Sequence, residues 1–206
     1  MSKRTILPLV GRRLRLRPIE AEDLTLTMAW RNHDHIRCWF KTSGLLTAEQ
    51  HRAWFDRYLT RDDDFLFLIE ETDRLRKPIG QVGLYRIDWQ ERTAEYGRIL
   101  IGEPDARGAG FAGEATTMLL GFAFKEWGLK AISLEVIPDN ERAIRVYRRC
   151  GFRVESEGNG LVLMRVTPES IVLPGSTPLD RKVDEWPGPA REHSDYGSGD
   201  CRMGAA

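Results

Sequence analysis

The sequence predicts a mixed α/β domain over residues 10–167: a central, twisted mixed sheet of about six to seven strands, with about four helices. Three observations predict it. Apolar runs at 65–70, 78–87 and 94–102 stand close enough in the chain to pair as an antiparallel meander. From Ala94 to Ile137 an apolar run, a glycine-rich turn, a helical pattern and a second apolar run follow one another. That is one βαβ unit, and so one parallel pair with a right-handed crossover. Two short runs around Gly158-Asn159-Gly160 then read as a closing hairpin.

In order, Leu14-Arg15-Leu16-Arg17-Pro18-Ile19 alternates apolar with basic residues and predicts a half-exposed first strand. Residues 20–31 read as a helix with Leu24, Met28 and Trp30 turned inward. Thr47 opens a second helix, and its spacing to Gln50 is that of a capping box. Asp62-Asp63-Asp64 reads as a solvated turn. The three meander strands follow. Met118, Leu119, Phe122, Ala123 and Trp127 keep helical spacing, and Gly128 is placed to end that helix. Residues 131–137 form the next strand. Asn140 caps a short helix stopped by Gly151. From Pro168 to Ala206 apolar periodicity fades and five of the ten prolines appear, so 168–206 reads as a disordered or loosely packed tail.

Thirty-one basic and 31 acidic side chains balance, so nothing in the charge asks for nucleic acid as partner. The N-terminus has no apolar leader and the chain no long apolar run, which predicts a cytoplasmic protein off the membrane. The three cysteines have no zinc spacing, and His33-x-His35 lacks a third nearby ligand, so no metal is expected.

The chemistry centres on 94–127. A strand that feeds a glycine turn that feeds a helix is an anion site, because the first helical N–H groups lack partners inside the helix and carry partial positive charge. Gly108 and Gly110 remove the side chains that would keep a phosphate away. Gly108, Gly110 and Gly113 spell the dinucleotide fingerprint, but a charged turn separates Ile101 from Gly108 and only one βαβ unit is visible. A Walker loop is excluded because no Gly-Lys-Ser/Thr follows.

The pattern Arg107-x-x-Gly110-x-Ala112 instead resembles the acetyl-CoA loop of the GNAT N-acetyltransferase superfamily. Val136-x-x-x-Asn140-x-x-Ala143-Ile144-x-x-Tyr147-x-x-x-Gly151-Phe152 resembles the other half of that family's motif, in the right order. The resemblance implies the GNAT fold, its sheet splayed at the parallel pair, with acetyl-CoA as co-substrate in the opening. Backbone N–H groups of Gly108, Ala109, Gly110, Phe111 and Ala112 would take the pyrophosphate, with Arg107 adding charge. The edge of Ile99, Leu100 and Ile101 would hydrogen-bond the pantetheine arm as an added strand. Asn140 either bonds that arm or caps its own helix.

Tyr147 falls where the family places a tyrosine near the thioester sulfur, as the acid for the departing thiolate. Glu95 is the candidate base, acting directly or through a water; a water chain alone is the alternative. Trp30, Arg31, Asn32 and Trp39 would bind the acceptor. This stretch resembles bacterial amino-sugar N-acetyltransferases of the pseudaminic-acid pathway, with ribosomal-protein N-terminal and spermidine acetyltransferases as broader relatives. The implied acceptor is a nucleotide-linked amino sugar, a small-molecule amine. The alternatives are a protein N-terminus, a polyamine, or a non-catalytic acyl-CoA-binding module. The enzyme is expected as a monomer or homodimer.

Overall fold

The structure is a computed structural model that describes residues 3–40, 42 and 44–172. Among these, eight strands form one sheet in the order β1-β2-β3-β4-β5-β6-β8-β7. They are β1 Leu9–Val10, β2 Leu14–Pro18, β3 Asp64–Glu71, β4 Lys77–Asp88, β5 Thr93–Ile101, β6 Ala131–Val136, β7 Arg153–Gly158 and β8 Leu161–Val166. The helices are α1 Leu24–Asn32, α2 Asp34–Arg37, α3 Ala48–Leu59, α4 Phe111–Lys125 and α5 Glu141–Arg149. The expected six to seven strands and four helices are exceeded by β1 and α2. Both are too short for any periodicity to announce them.

β3 is buried on both faces, as its nearly unbroken apolar run requires. Phe65, Phe67 and Ile69 point to the side covered by α4 and α5, where they join Tyr96, Leu119, Ile144 and Phe152 in the main core. Leu66 and Leu68 point to the opposite side, under α3 and α1, with Phe55 and Tyr58 in one cluster and Trp30 and Ile36 in another. The α3 helix starts at the predicted capping box: Thr47 Oγ1 accepts from Gln50 N–H at 3.2 Å, and Gln50 Oε1 accepts from Thr47 N–H at 3.0 Å.

One feature of the sheet positions the site. β5 runs from Thr93 to Ile101 and β6 from Ala131 to Val136, yet they pair only at Thr93–Ala131, Ala94–Ile132 and Glu95–Ser133. Beyond Glu95 the two strands part. The opening is kept because β6 finds its other partner in β8, and β5 stays bonded to β4.

The start of the predicted tail lies within the described residues. Residues 168–172 pack on the domain: Ser170 and Ile171 N–H groups donate to Thr167 O, Val172 N–H donates to Cys150 O, and Ile171 touches the main core. They cross directly over Gly151 (φ 102°), where a Cβ would come 2.1 Å from the Ser170 carbonyl oxygen. The rest of the predicted tail, 173–206, lies outside the described residues. No helix among the described residues is long and apolar enough to cross a membrane.

Candidate active site

The glycine turn forms as its sequence demands. After β5 a short 3-10 turn, Pro104–Ala106, brings the chain round to Arg107. Gly108 (φ 77°) and Gly110 (φ 82°) are both left-handed, a region that costs other residues about 1–2 kcal/mol. Gly110 is the N-cap of α4, and no side chain caps that helix end. A Cβ on either glycine would meet nothing within 4 Å, so the space above the turn is open. Open first-turn N–H groups at the head of a 15-residue helix make a cradle that fits a pyrophosphate. Arg107 Nη2 donates to the Gly102 carbonyl at 3.2 Å, which lays its charge beside the end of β5. Arg13, which no motif pointed to, pairs with Glu114 at 2.6 Å and reaches the Ala109 carbonyl at 3.5 Å, bracing the turn from β2's side.

Past Glu95, β5 has no ladder partner toward β6. Its backbone through Ile99, Leu100 and Ile101 therefore presents an edge that an extended amide-bearing arm could join. Tyr147 stands on the α4–α5 side of that edge, 9 % exposed, edge-on to Tyr96 at 5.9 Å and to Phe152 at 5.8 Å. Burial, with the Tyr85 phenol and Cys150 thiol adding to it, holds its own phenol well above the usual tyrosine range, so it keeps its proton. Asn140 caps α5, its Oδ1 accepting from Ala143 N–H at 3.1 Å; the capping alternative is the one its side chain takes up. Glu95 lies at the fork of β5 and β6, half-buried, with Oε1 held by Arg86 Nη1 at 2.7 Å. Its carboxylate is engaged by a cation rather than free.

The acceptor residues expected from the sequence separate into three kinds. Trp30 is 3 % exposed and packs with Ile36, Leu68 and Leu100, so its ring belongs to the core and is no free stacking face. Its Nε1 donates to Glu103 Oε1 at 3.3 Å. Asn32 also works internally: its amide exchanges two 2.8 Å hydrogen bonds with the Leu46 backbone and closes the loop between α2 and α3. The two meet different neighbours: Asn32, at the end of α1, meets the loop before α3, whereas Trp30 faces the end of β5 beneath its helix. Trp39, by contrast, is 40 % exposed. Arg31 lies over the Phe40 ring at 3.9 Å and donates through Nη2 to the Thr42 carbonyl, while its buried Nη1 has no hydrogen-bond partner among the described residues.

Two residues of the α3 side were not visible as candidates. Tyr85 of β4 leans over Gly97 of β5. Arg98 holds Asp64 through two bonds of 2.6 and 2.9 Å and stands between the rings of Tyr85 and Trp54, at 4.6 and 5.6 Å. Strand periodicity assigned both to β4 and β5, but no local signal pairs them. A cavity of about 440 Å³ lies along β7 and β8 and one of about 190 Å³ where β5 and β6 pair, beside β8; neither is lined by the glycine turn or Tyr147. Among the described residues no three His, Cys, Asp or Glu side chains converge as a metal site.

Residues 13–153 match the family described as "Acetyltransferase (GNAT) domain". The spermidine N(1)-acetyltransferase of Escherichia coli K12 is 30% identical over 145 residues, 70% of this chain and 75% of that protein. The α/β-tubulin N-acetyltransferase 9 of Drosophila melanogaster is 29% identical over 191 residues, 85% of this chain and 92% of that one. In fold, the chain matches the spermidine N-acetyltransferase of Vibrio cholerae, solved with CoA and spermine, with a TM-score of 0.68. That match is 24% identical and covers 77% of this chain and 97% of the other. Matched over most of its length by the family and by a relative at 30% identity, the chain belongs to the GNAT acetyltransferases and is an acetyl-CoA-dependent N-acetyltransferase.

Proposed function

We propose that the acceptor is a small primary amine that carries an anionic group, of which a nucleotide-linked amino sugar is the representative expected from the sequence. The observation that supports this is the charge pattern of the acceptor side. Asp64 is held by Arg98, Glu95 by Arg86 and Glu103 by Lys77, so each of these carboxylates already has its cation. Arg31 offers a buried Nη1 with no hydrogen-bond partner among the described residues and lies over the Phe40 ring, and Trp39, one position before that ring, is exposed. A polycation needs unpaired carboxylates, whereas a phosphate or carboxylate suits a guanidinium with donors to spare.

In this reading the glycine turn holds the pyrophosphate, and the free edge of β5 holds the pantetheine arm. The amine attacks from the α3 side. Glu95 receives the amine proton through a water, because Arg86 occupies its near oxygen. Tyr147, kept protonated by its buried setting, meets the departing sulfur. The same dry gap raises the proton affinity of a thiolate, which narrows the mismatch between the two groups.

The second reading, a polyamine acceptor, is favoured by the spermidine-acetylating relative at 30% identity. A protein amine is favoured by the tubulin-acetylating relative. A thiol-release assay with acetyl-CoA and three acceptors separates them: a nucleotide-linked 4-amino sugar, spermidine, and a peptide with a free N-terminus. The anionic amine should react fastest. Turnover on spermidine with none on the amino sugar overturns the proposal. Bound CoA with no turnover on any acceptor favours a binding module.

A further inference from the structure

Tyr85 occupies a position that none of the family's motif residues covers. In the β4–β5 ladder Tyr85 stands opposite Glu95, and Gly83 opposite Gly97. The Tyr85 ring leans diagonally over Gly97, where a Cβ would come 2.9 Å from Oη and 3.1 Å from Cε1. Gly97 is two residues beyond Glu95, the last residue of β5 to pair with β6. The phenol oxygen therefore sits at the mouth of the opening between the strands. Its ring is fixed from above by the Arg98 guanidinium, itself fixed by two bonds to Asp64.

The two faces of the sheet decide which side this is. Arg98 also stands over Trp54 of α3, which puts Tyr85 on the α3 side of β5. Tyr147 packs with Tyr96, which bonds Thr116 of α4, and so lies on the opposite side. Tyr85 is nonetheless close enough to raise the proton affinity of Tyr147. The local backbone is strained in a matching way. Arg86 (φ 50°) and Arg98 (φ 55°) are left-handed without being glycine, one beside Tyr85 and one beside Gly97. Such residues cost about 1–3 kcal/mol each and collect at working sites.

We infer that Tyr85 is the acceptor-side phenol of the reaction: its oxygen accepts a hydrogen bond from the attacking amine and turns the nitrogen lone pair toward the thioester carbonyl. Gly97 exists to leave that oxygen room. The carbon–nitrogen bond forms as the carbon–sulfur bond breaks, one proton leaves nitrogen and one arrives on sulfur, and Tyr85 gives up none. The inference rests on acetyl transfer to an amine and is independent of which amine it is.

The full chain tests it in two ways. With the amine of the three that turns over fastest, Tyr85→Phe should lower kcat/KM for the amine about tenfold, the worth of one hydrogen bond, and leave the KM for acetyl-CoA within about twofold. Gly97→Ala should do at least as much, because its methyl would press on both Oη at 2.9 Å and Cε1 at 3.1 Å and move the phenol. A purely structural role would instead move the two substrates' constants together. Independently of any acceptor, the ¹³C-tyrosine resonance that Tyr85→Phe abolishes should shift when acetyl-CoA saturates the protein, and shift less with CoA. An unmoved resonance, or an unchanged kcat/KM, overturns the inference. If none of the three amines reacts, the resonance decides alone.

Discussion

Trp30 lies flat against Gly102, so close that a Cβ on the glycine would come 2.1 Å from the indole. The same indole donates to Glu103, whose other oxygen holds Lys77 at 2.5 Å. Helix α1 is thereby fastened to the end of β5, at the point where the strand turns toward the glycine cradle. Gly102→Ala should overpack this joint and cost about 1–3 kcal/mol in urea denaturation. Because the displaced strand end carries the cradle with it, the Kd for acetyl-CoA should rise as well.

Gly110→Ala isolates the cradle from the core. The new methyl meets no protein atom within 4 Å, so the stability cost is confined to the left-handed φ of 82°, about 1–2 kcal/mol. It does enter the space proposed for phosphate. Calorimetric titration should show acetyl-CoA binding weakened about tenfold, a loss of about 1.4 kcal/mol, beside a small fall in Tm.

Tyr147→Phe should lower kcat about 100-fold, within the range for a positioned acid, and leave acetyl-CoA affinity unchanged. Burial holds the Tyr147 phenol above its ordinary range. The wild-type enzyme should accordingly show no loss of kcat near pH 10 from this residue. Equal turnover of the two proteins would remove the acid role.

Glu95→Gln keeps the shape of the side chain and a partner for Arg86's donor, but cannot take a proton. Stopped thiol-release traces should show turnover reduced about tenfold or more, at the low end of what a general base contributes, or below it where a water shares the task. An unchanged rate would assign the proton to a water chain.

Stability at high pH should fall in a way these phenols dictate. Burial pushes Tyr58 up to about 12, against the pull of the Leu66 N–H that donates to its oxygen at 3.3 Å, and raises Tyr96 and Tyr147 further. In the unfolded chain each ionises near pH 10. Above that pH the unfolded state binds fewer protons than the folded one, so stability declines with rising pH. The contribution is complete below pH 10 and lost as pH passes the folded values. Urea midpoints from pH 8 to 11.5 should drop, and drop less steeply in Tyr58→Phe.

What could be read from the amino acids alone was whatever depends on near neighbours in the chain. The Thr47–Gln50 box, the Asn140 cap, Gly110 and Gly151 at helix ends, and the strand–turn–helix run at Ala94 all reflect local backbone preferences. Those preferences act over three or four residues, so the fold and the cradle were legible. Contacts between distant segments were not. That Trp30 is spent on Gly102, Asn32 on Leu46, Glu95 on Arg86, and residues 168–172 on Gly151 follows from how strands register and helices dock. The same holds for Tyr85 over Gly97, where a diagonal neighbour is set by a bulged ladder. A side chain's partner across the sheet is decided by packing the whole core at once. The residue types were therefore in the sequence, and their duties were assigned only by the tertiary structure.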